Sequence, residues 1–324
     1  MKHLLMMKGA RILVDTCAGV KASETVLIVT DPEKTAIAET IAAVCYERKA
    51  ETVLAVIAPR AIDGEEPPLP IAHAMKGAHV VFMPVTKSLA HSNATRAALQ
   101  AGARVLSLTA FTEEQMVSGG IEADFVAQRP VCLALAARFT AARNVRLTSA
   151  GGTDLRLSLE GRQGNAHACI VDGPGQFTAV PNIEANIAPV EGSADGLIVA
   201  DASIPYLGIG VLREPVRLAV ARGTITEITG GDQAVRIREI LRAQNHPSVY
   251  NIAQLAVGLN PKCTEVSGVM LNDEGVFGTV HIGIGTSANI GGITKAPTHF
   301  DLLMHRPTIE LDGACVLRDG QLIA

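Results

Sequence analysis

Glu24-Thr25-Val26-Leu27-Ile28-Val29-Thr30-Asp31-Pro32-Glu33 decides the fold class of this chain. Val26 to Val29 is a continuous apolar run without polar alternation, the mark of a strand buried on both faces. Asp31-Pro32-Glu33 then opens a helix, with Asp as N-cap and Pro at the first helical position. That helix is predicted to run to about Lys49. Working outward, the pattern repeats. Strands are predicted from Thr52 to Ala58, His79 to Val85 and Arg104 to Leu108. Helices are predicted from Ile71 to Gly77, from Ser88 to Ala101 with Gly102 as the stop, and from Thr112-Glu113-Glu114 onward. Strands alternating with helices predict a parallel sheet covered on both faces. No GxGxxG follows the first strand, so a dinucleotide site has no support.

Composition agrees with this reading. Aromatic residues are 3% of the chain and Trp is absent, so burial rests on Val, Ile, Leu and Ala, as in an α/β interior. The net charge of −4 comes with no basic patch or like-charge block. Nucleic acid and anionic membrane are therefore not expected partners. The apolar run at Met1 to Met7 is broken by Lys8 and is too short for a signal or a membrane span. Cys17, Cys45, Cys132, Cys169, Cys263 and Cys315 form no CxxC. They read as reduced thiols of a cytoplasmic protein. Gly64-Glu65-Glu66-Pro67-Pro68 reads as a surface loop.

The texture changes after a helix predicted from Val131 to Ala142. Period-two alternation takes over at Val145-Arg146-Leu147-Thr148 and Leu155-Arg156-Leu157-Ser158-Leu159, which flank Gly151-Gly152-Thr153-Asp154 as a hairpin. Further short strands are predicted at Leu197 to Ala200, Val216 to Val220 and Thr224 to Ile228, with a helix at Gln233 to Ala243. The expected organisation is an α/β, Rossmann-like domain over 1–143, then a β-rich α+β metal-binding catalytic domain over 144–324.

The second half carries the pointed chemistry. In Thr298-His299-Phe300-Asp301, strand geometry puts His299 and Asp301 on one face. His281 lies seventeen residues before Thr298, in the Gly-rich run Gly278-Thr279-Val280-His281-Ile282-Gly283-Ile284-Gly285. Two imidazoles and a carboxylate suit Fe, Zn, Mn or Co. The plain alternatives are a hydrogen-bonded structural His and a surface ion pair. Glu184 and Glu191 lie in the apolar, Pro-bounded stretch Pro181 to Gly192. Burying either carboxylate requires a partner, a metal or a proton, whereas an outward-facing Glu requires none. In the first half, His91-Ser92 follows a strand end, where open α/β sheets bind ligands. Adjacent residues do not make a nucleophile–base pair, so Ser92 reads as a helix N-cap as readily as a site residue.

Six segments taken in order carry a resemblance. They are GTDLRLSLEGR (152–162), PNIEANIAPVEG (181–192), ITGGDQA (228–234), NIAQLAVGLNP (251–261), LNDEGVFGTVHIGIG (271–285) and THFD (298–301). Together they resemble the metallo-aminopeptidases of the aminopeptidase T group and their shorter relatives, the 2,5-dihydroxypyridine 5,6-dioxygenases. AHSNATRAALQAGARV (90–105) extends the likeness more weakly. The resemblance implies metal ligation by Glu184, His281, His299 and Asp301, with His246 as the alternative second imidazole. It implies a catalytic role for His91 as acid–base in a dioxygenase, and for Glu191 or Glu184 as base in an aminopeptidase. Where the aminopeptidases carry a metal-bridging Glu, this chain has Gln254, a poor bridge for two cations. The favoured expectation is therefore a mononuclear Fe(II) dioxygenase acting with O2 on a hydroxylated N-heteroaromatic small molecule, as a cytoplasmic homo-oligomer with its site between the domains. The alternatives are an aminopeptidase using Zn or Co, and a metal-free relative that keeps a binding cleft.

Overall fold

The computed structural model describes residues 1–323. Five parallel strands form the first sheet, in the order Glu51–Val56, Thr25–Thr30, Val80–Met83, Arg104–Ser107 and Phe177–Ala179. The first four alternate with helices, as the sequence predicts. The helix after Asp31 begins as a 3-10 turn at Pro32–Lys34 and continues as Thr35–Glu47. The buried Asp31 has two jobs. One oxygen accepts from Glu33 N at 3.2 Å, and the other accepts from Thr86 N and Oγ1 at 2.6 and 2.7 Å. It thereby ties together the loops that leave two neighbouring strands.

The remaining strands are in antiparallel sheets. One has eight strands, and the expected hairpin is in it, pairing Asn144–Thr148 with Asp154–Ser158. The second runs His299–Met304, Val280–Gly285, Ile252–Gly258, Glu184–Ile187, Asn165–His167. Its three central strands are buried along their whole length.

The chain divides into two compact units, and the division differs from the expected one at residue 143. The first unit is Met1–Ala127 with His167–Pro181, and the second is Gln128–Ala166 with Asn182–Ala324. The helix Phe125–Ala141 spans the first change of unit and starts earlier than the predicted Val131. The segment 167–181 returns to the first unit because Phe177–Ala179 adds a fifth parallel strand beside Arg104–Ser107. Three residues carry too short a pattern for the sequence to mark that strand.

Among the described residues no cysteine is disulfide-bonded. Burial pushes the Cys45 and Cys263 thiols up to about 12, which makes them unreactive. Among the described residues no helix is long and apolar enough to cross a membrane.

Candidate metal centre

One face of the five-stranded antiparallel sheet gathers the polar residues. Across the ladder Gln254 pairs with Gly283, and Gly283 pairs with Asp301. His281 pairs with Ala256, Ala256 with Asn186, Glu184 with Gly258 and His299 with Gly285. Directly paired residues and those two apart share a face. Glu184, Asn186, Gln254, His281, His299 and Asp301 therefore point to the same side. Gly283 lies at their centre and contributes no side chain. A Cβ there would come within 2.7 Å of Gln254 Cβ and 2.8 Å of the His299 ring. The glycine is what allows the imidazole to lie across the strand.

The donors stand as contacts between neighbours. Among the described residues no three of them converge as a preformed metal cluster. His281 Nε2 is 3.3 Å from Glu184 Oε2, and His299 Nε2 is 3.4 Å from Asp301 Oδ1. His299 Nδ1 is 2.8 Å from the carbonyl of Thr286. Donation to that carbonyl fixes the tautomer and leaves the Nε2 lone pair facing Asp301, the orientation a ligating His requires. His281 is fully buried with its Nδ1 in no hydrogen bond, and Asp301 Oδ1 likewise makes none of good geometry. Gln254 is also buried, with its amide 3.3 Å from His281 Nε2. Around Glu184, Asn182 donates to Oε2 at 2.9 Å and Asn186 to Oε1 at 2.6 Å. These amides offset the cost of burying its charge.

Without a cation the electrostatics favour protonated imidazoles beside an ionised carboxylate, so a metal would displace protons from both histidines. Burial pulls the His281 pKa down, but the Glu184 hydrogen bond and the Asp301 charge outweigh it and raise the value. For His299 burial again lowers, and Asp301 again raises more. Burial would lift Asp301, yet the His299 charge and hydrogen bond hold it well below the usual carboxylate range. Two imidazole nitrogens and an ionised carboxylate, with buried polar atoms lacking hydrogen bonds, fit a divalent cation of the Fe, Zn or Co kind.

Two site residues escaped the sequence reading. Tyr206 Oη lies 2.5 Å from Glu274 Oε1 and 2.7 Å from Asp301 Oδ2. The phenol has one proton for two carboxyl groups. Burial, with Asp301 and Glu184 nearby, raises Glu274 well above the carboxylate range. The phenol hydroxyl is within donating distance of both carboxyl groups, Glu274 Oε1 and Asp301 Oδ2. Glu274 lies within LNDEGVFGTVHIGIG (271–285), but nothing in the pattern of that segment singles it out, and Tyr206 lies outside the six segments.

Two of the expected residues lie apart from this cluster. Glu191 does not join this cluster. It pairs with Arg162 and accepts from Ser287 Oγ at 3.0 Å and Ile293 N at 2.8 Å. Burial pushes its carboxyl up, but these donors prevail and hold it below the usual range. Glu191 thus anchors the loop that links the Val280–Gly285 and His299–Met304 strands, with three donors already on its carboxylate. His246, the alternative imidazole, is exposed and instead caps the turn Pro247–Tyr250. In the first unit, Ser92 is a helix N-cap, accepting from Thr95 N at 3.1 Å. His91 is the exposed residue just before it.

The sequence matches the family described as 2,5-dihydroxypyridine 5,6-dioxygenase over residues 11–324. The chain belongs to that family. A curated relative, the 2,5-dihydroxypyridine 5,6-dioxygenase of Pseudomonas putida KT2440, is 27% identical over 194 residues, or 56% of this chain. That match spans 55% of the relative's own length. Two solved structures share the fold. The 2,5-dihydroxypyridine dioxygenase of P. putida KT2440 has a TM-score of 0.83 at 21% identity, over 100% of this chain and 98% of that one. Wild-type AmpT of Thermus thermophilus has a TM-score of 0.75 at 15% identity, over 99% of each chain. The dioxygenase family and the aminopeptidase thus share one architecture, and the choice of chemistry between them falls to individual residues.

Proposed function

We propose that this family member is a mononuclear non-haem Fe(II) dioxygenase that opens a hydroxylated, pyridine-like ring with O2. The observation that carries the choice is Gln254. It occupies the middle of the donor face, beside His281 and across Gly283 from Asp301. A neutral amide there leaves His281, His299 and Asp301 as one set of strong donors, with Glu184 close by, and puts no carboxylate at the position where the aminopeptidases carry the bridging Glu. Glu184 Oε2 lies 3.3 Å from His281 Nε2, the nitrogen that Gln254 also faces, and serves as a fourth ligand or as support. His281, His299 and Asp301 would hold Fe(II), which would supply the activation of O2 toward a hydroxylated ring. The chain's own contribution is orientation and charge. Thr286 sets the His299 tautomer, and the ionised Asp301 offsets the cation's charge. His91, whose segment resembles the one that carries the family's acid–base residue, is assigned the proton transfer. A small-molecule substrate and O2 are the partners of this reading.

Protein purified without chelators is expected to carry about one iron per chain. Reconstituted with Fe(II), it is expected to consume O2 in the presence of dihydroxypyridines. Peptide hydrolysis with Zn or Co and no oxygen uptake would overturn the reading in favour of an aminopeptidase. A metal-free protein inert in both assays would overturn it in favour of a binding protein.

The proposal includes a homo-oligomer in the cytoplasm. Tyr46 and the outer strand residues Val53, Leu54 and Val56 expose apolar surface along one edge of the parallel sheet, the kind of edge proteins cover. Light scattering that gives only the 33.9 kDa monomer would overturn the oligomer.

A further inference from the structure

Tyr206 reaches Asp301 by an unusual route. Asp301 lies in His299–Met304, the edge strand of the five-stranded sheet, with its side chain on the donor face. Phe300 and Leu302, its neighbours in the strand, point to the opposite face. The Tyr206 ring packs on that opposite side. It lines a small apolar cavity with Ile237, Ile284, Phe300 and Leu302, and its centroid is 5.9 Å from that of Phe300. The ring thus wraps the open edge of the sheet, and only its hydroxyl arrives at Asp301 Oδ2, 2.7 Å away.

The segment that presents it is fastened at several points. Ala202 N donates to Leu303 O at 3.1 Å, which docks the segment on the edge strand. Leu207, Gly208 and Gly210 take positive φ angles and make a tight turn. The helix Asp232–Ala243 holds that turn, with Arg236 donating to Leu207 O and Gly208 O, and Gln233 to Ile209 O and Val211 O. On the far side of the phenol, Glu274 Oε1 lies at 2.5 Å, and Asn182 in turn donates to Glu274 Oε2 at 3.1 Å. On a segment fastened in this way the hydroxyl is fixed between two carboxyl groups, Glu274 and Asp301.

We infer that Tyr206 is a positioning residue for Asp301: its hydroxyl occupies Oδ2 and so directs Oδ1, the oxygen beside His299 Nε2, to the cation. The inference rests on the reading of Asp301 as a metal ligand. Hydrogen-bond partners of ligating carboxylates typically tune metal affinity about 10- to 100-fold, and the same range is expected here.

The test is Tyr206→Phe, which removes the hydroxyl and keeps the ring. Mn(II) titrated into the apo full-length chain is the probe, with Asp301→Ala alongside and apo Tm as the measure of packing. Tyr206→Phe is expected to keep an apo Tm within a few degrees of the parent and to weaken Mn(II) binding about 10- to 100-fold. Tyr206→Leu, which also empties the apolar pocket, is expected to lower both. Parental Mn(II) affinity in Tyr206→Phe, with affinity lost in Asp301→Ala, overturns the role of Tyr206 alone. Unchanged affinity in Asp301→Ala overturns the metal reading and this inference with it.

Discussion

Replacing His299 with Ala is expected to abolish stoichiometric metal binding while leaving the fold standing. The two halves of this result have different causes. His299 supplies the nitrogen whose tautomer is already set by the Thr286 carbonyl, so its loss removes a prepared ligand. Removing a hydrogen-bond partner of a ligand costs about 10- to 100-fold in affinity, and removing the ligand itself is expected to cost more than 100-fold. The fold is spared because the His299 side chain is 26% accessible and packs over a glycine, not into the core. A Tm within about 4 °C of the parent is expected. Metal analysis after gel filtration, with a thermal melt, checks both parts; full occupancy in the variant would refute the assignment. Metal binding in the parent carries a matching pH signature. Both histidines have raised pKa values, so below those values a cation must displace protons. Affinity is therefore expected to rise with pH through the histidine range and then level off.

Gln254→Glu is expected to have the second largest effect, and its sign depends on metal. The new carboxylate would be buried beside His281, which already faces Glu184. Two carboxylates about one imidazole repel each other, and the desolvated charge has no further partner. A loss of about 2–4 kcal/mol in apo stability is expected, by analogy with other uncompensated buried charges. The loss should grow as pH rises, because repulsion raises the folded-state pKa of the new group and its ionisation then opposes folding. Saturating Zn(II) or Co(II) should restore stability, with the bound metal rising from about one toward two per chain. Unchanged apo stability together with unchanged stoichiometry would show that Gln254 does not decide the metal count.

The donor face was legible because strands advertise it. His299 and Asp301 are two apart, and His281 and Gly283 are two apart, so period two alone places each pair on one side. The βαβα run from Thr25 to Ser107 was equally open, since uniformly apolar strands and capped helices leave local marks. What stayed hidden depends on long-range partners. Tyr206 meets Asp301 across 95 residues and Glu274 across 68. Glu191 reads as a buried acid until Arg162 and the amide of Ile293 are seen to take it. The return of 167–181 to the first unit rests on a three-residue strand.

That return has a consequence for how such a protein can be taken apart. The polypeptide passes between the two units three times, at 127/128, 166/167 and 181/182. Neither unit is a contiguous cassette. A fragment ending at Arg143 would leave Arg104–Ser107 as a raw edge, without the strand Phe177–Ala179 that pairs with it. It would also drag along most of a helix that belongs to the other unit. Gene fusion or truncation at one point cannot exchange the α/β unit of this chain for another. The two units are interleaved in the gene, and recombination must carry them together.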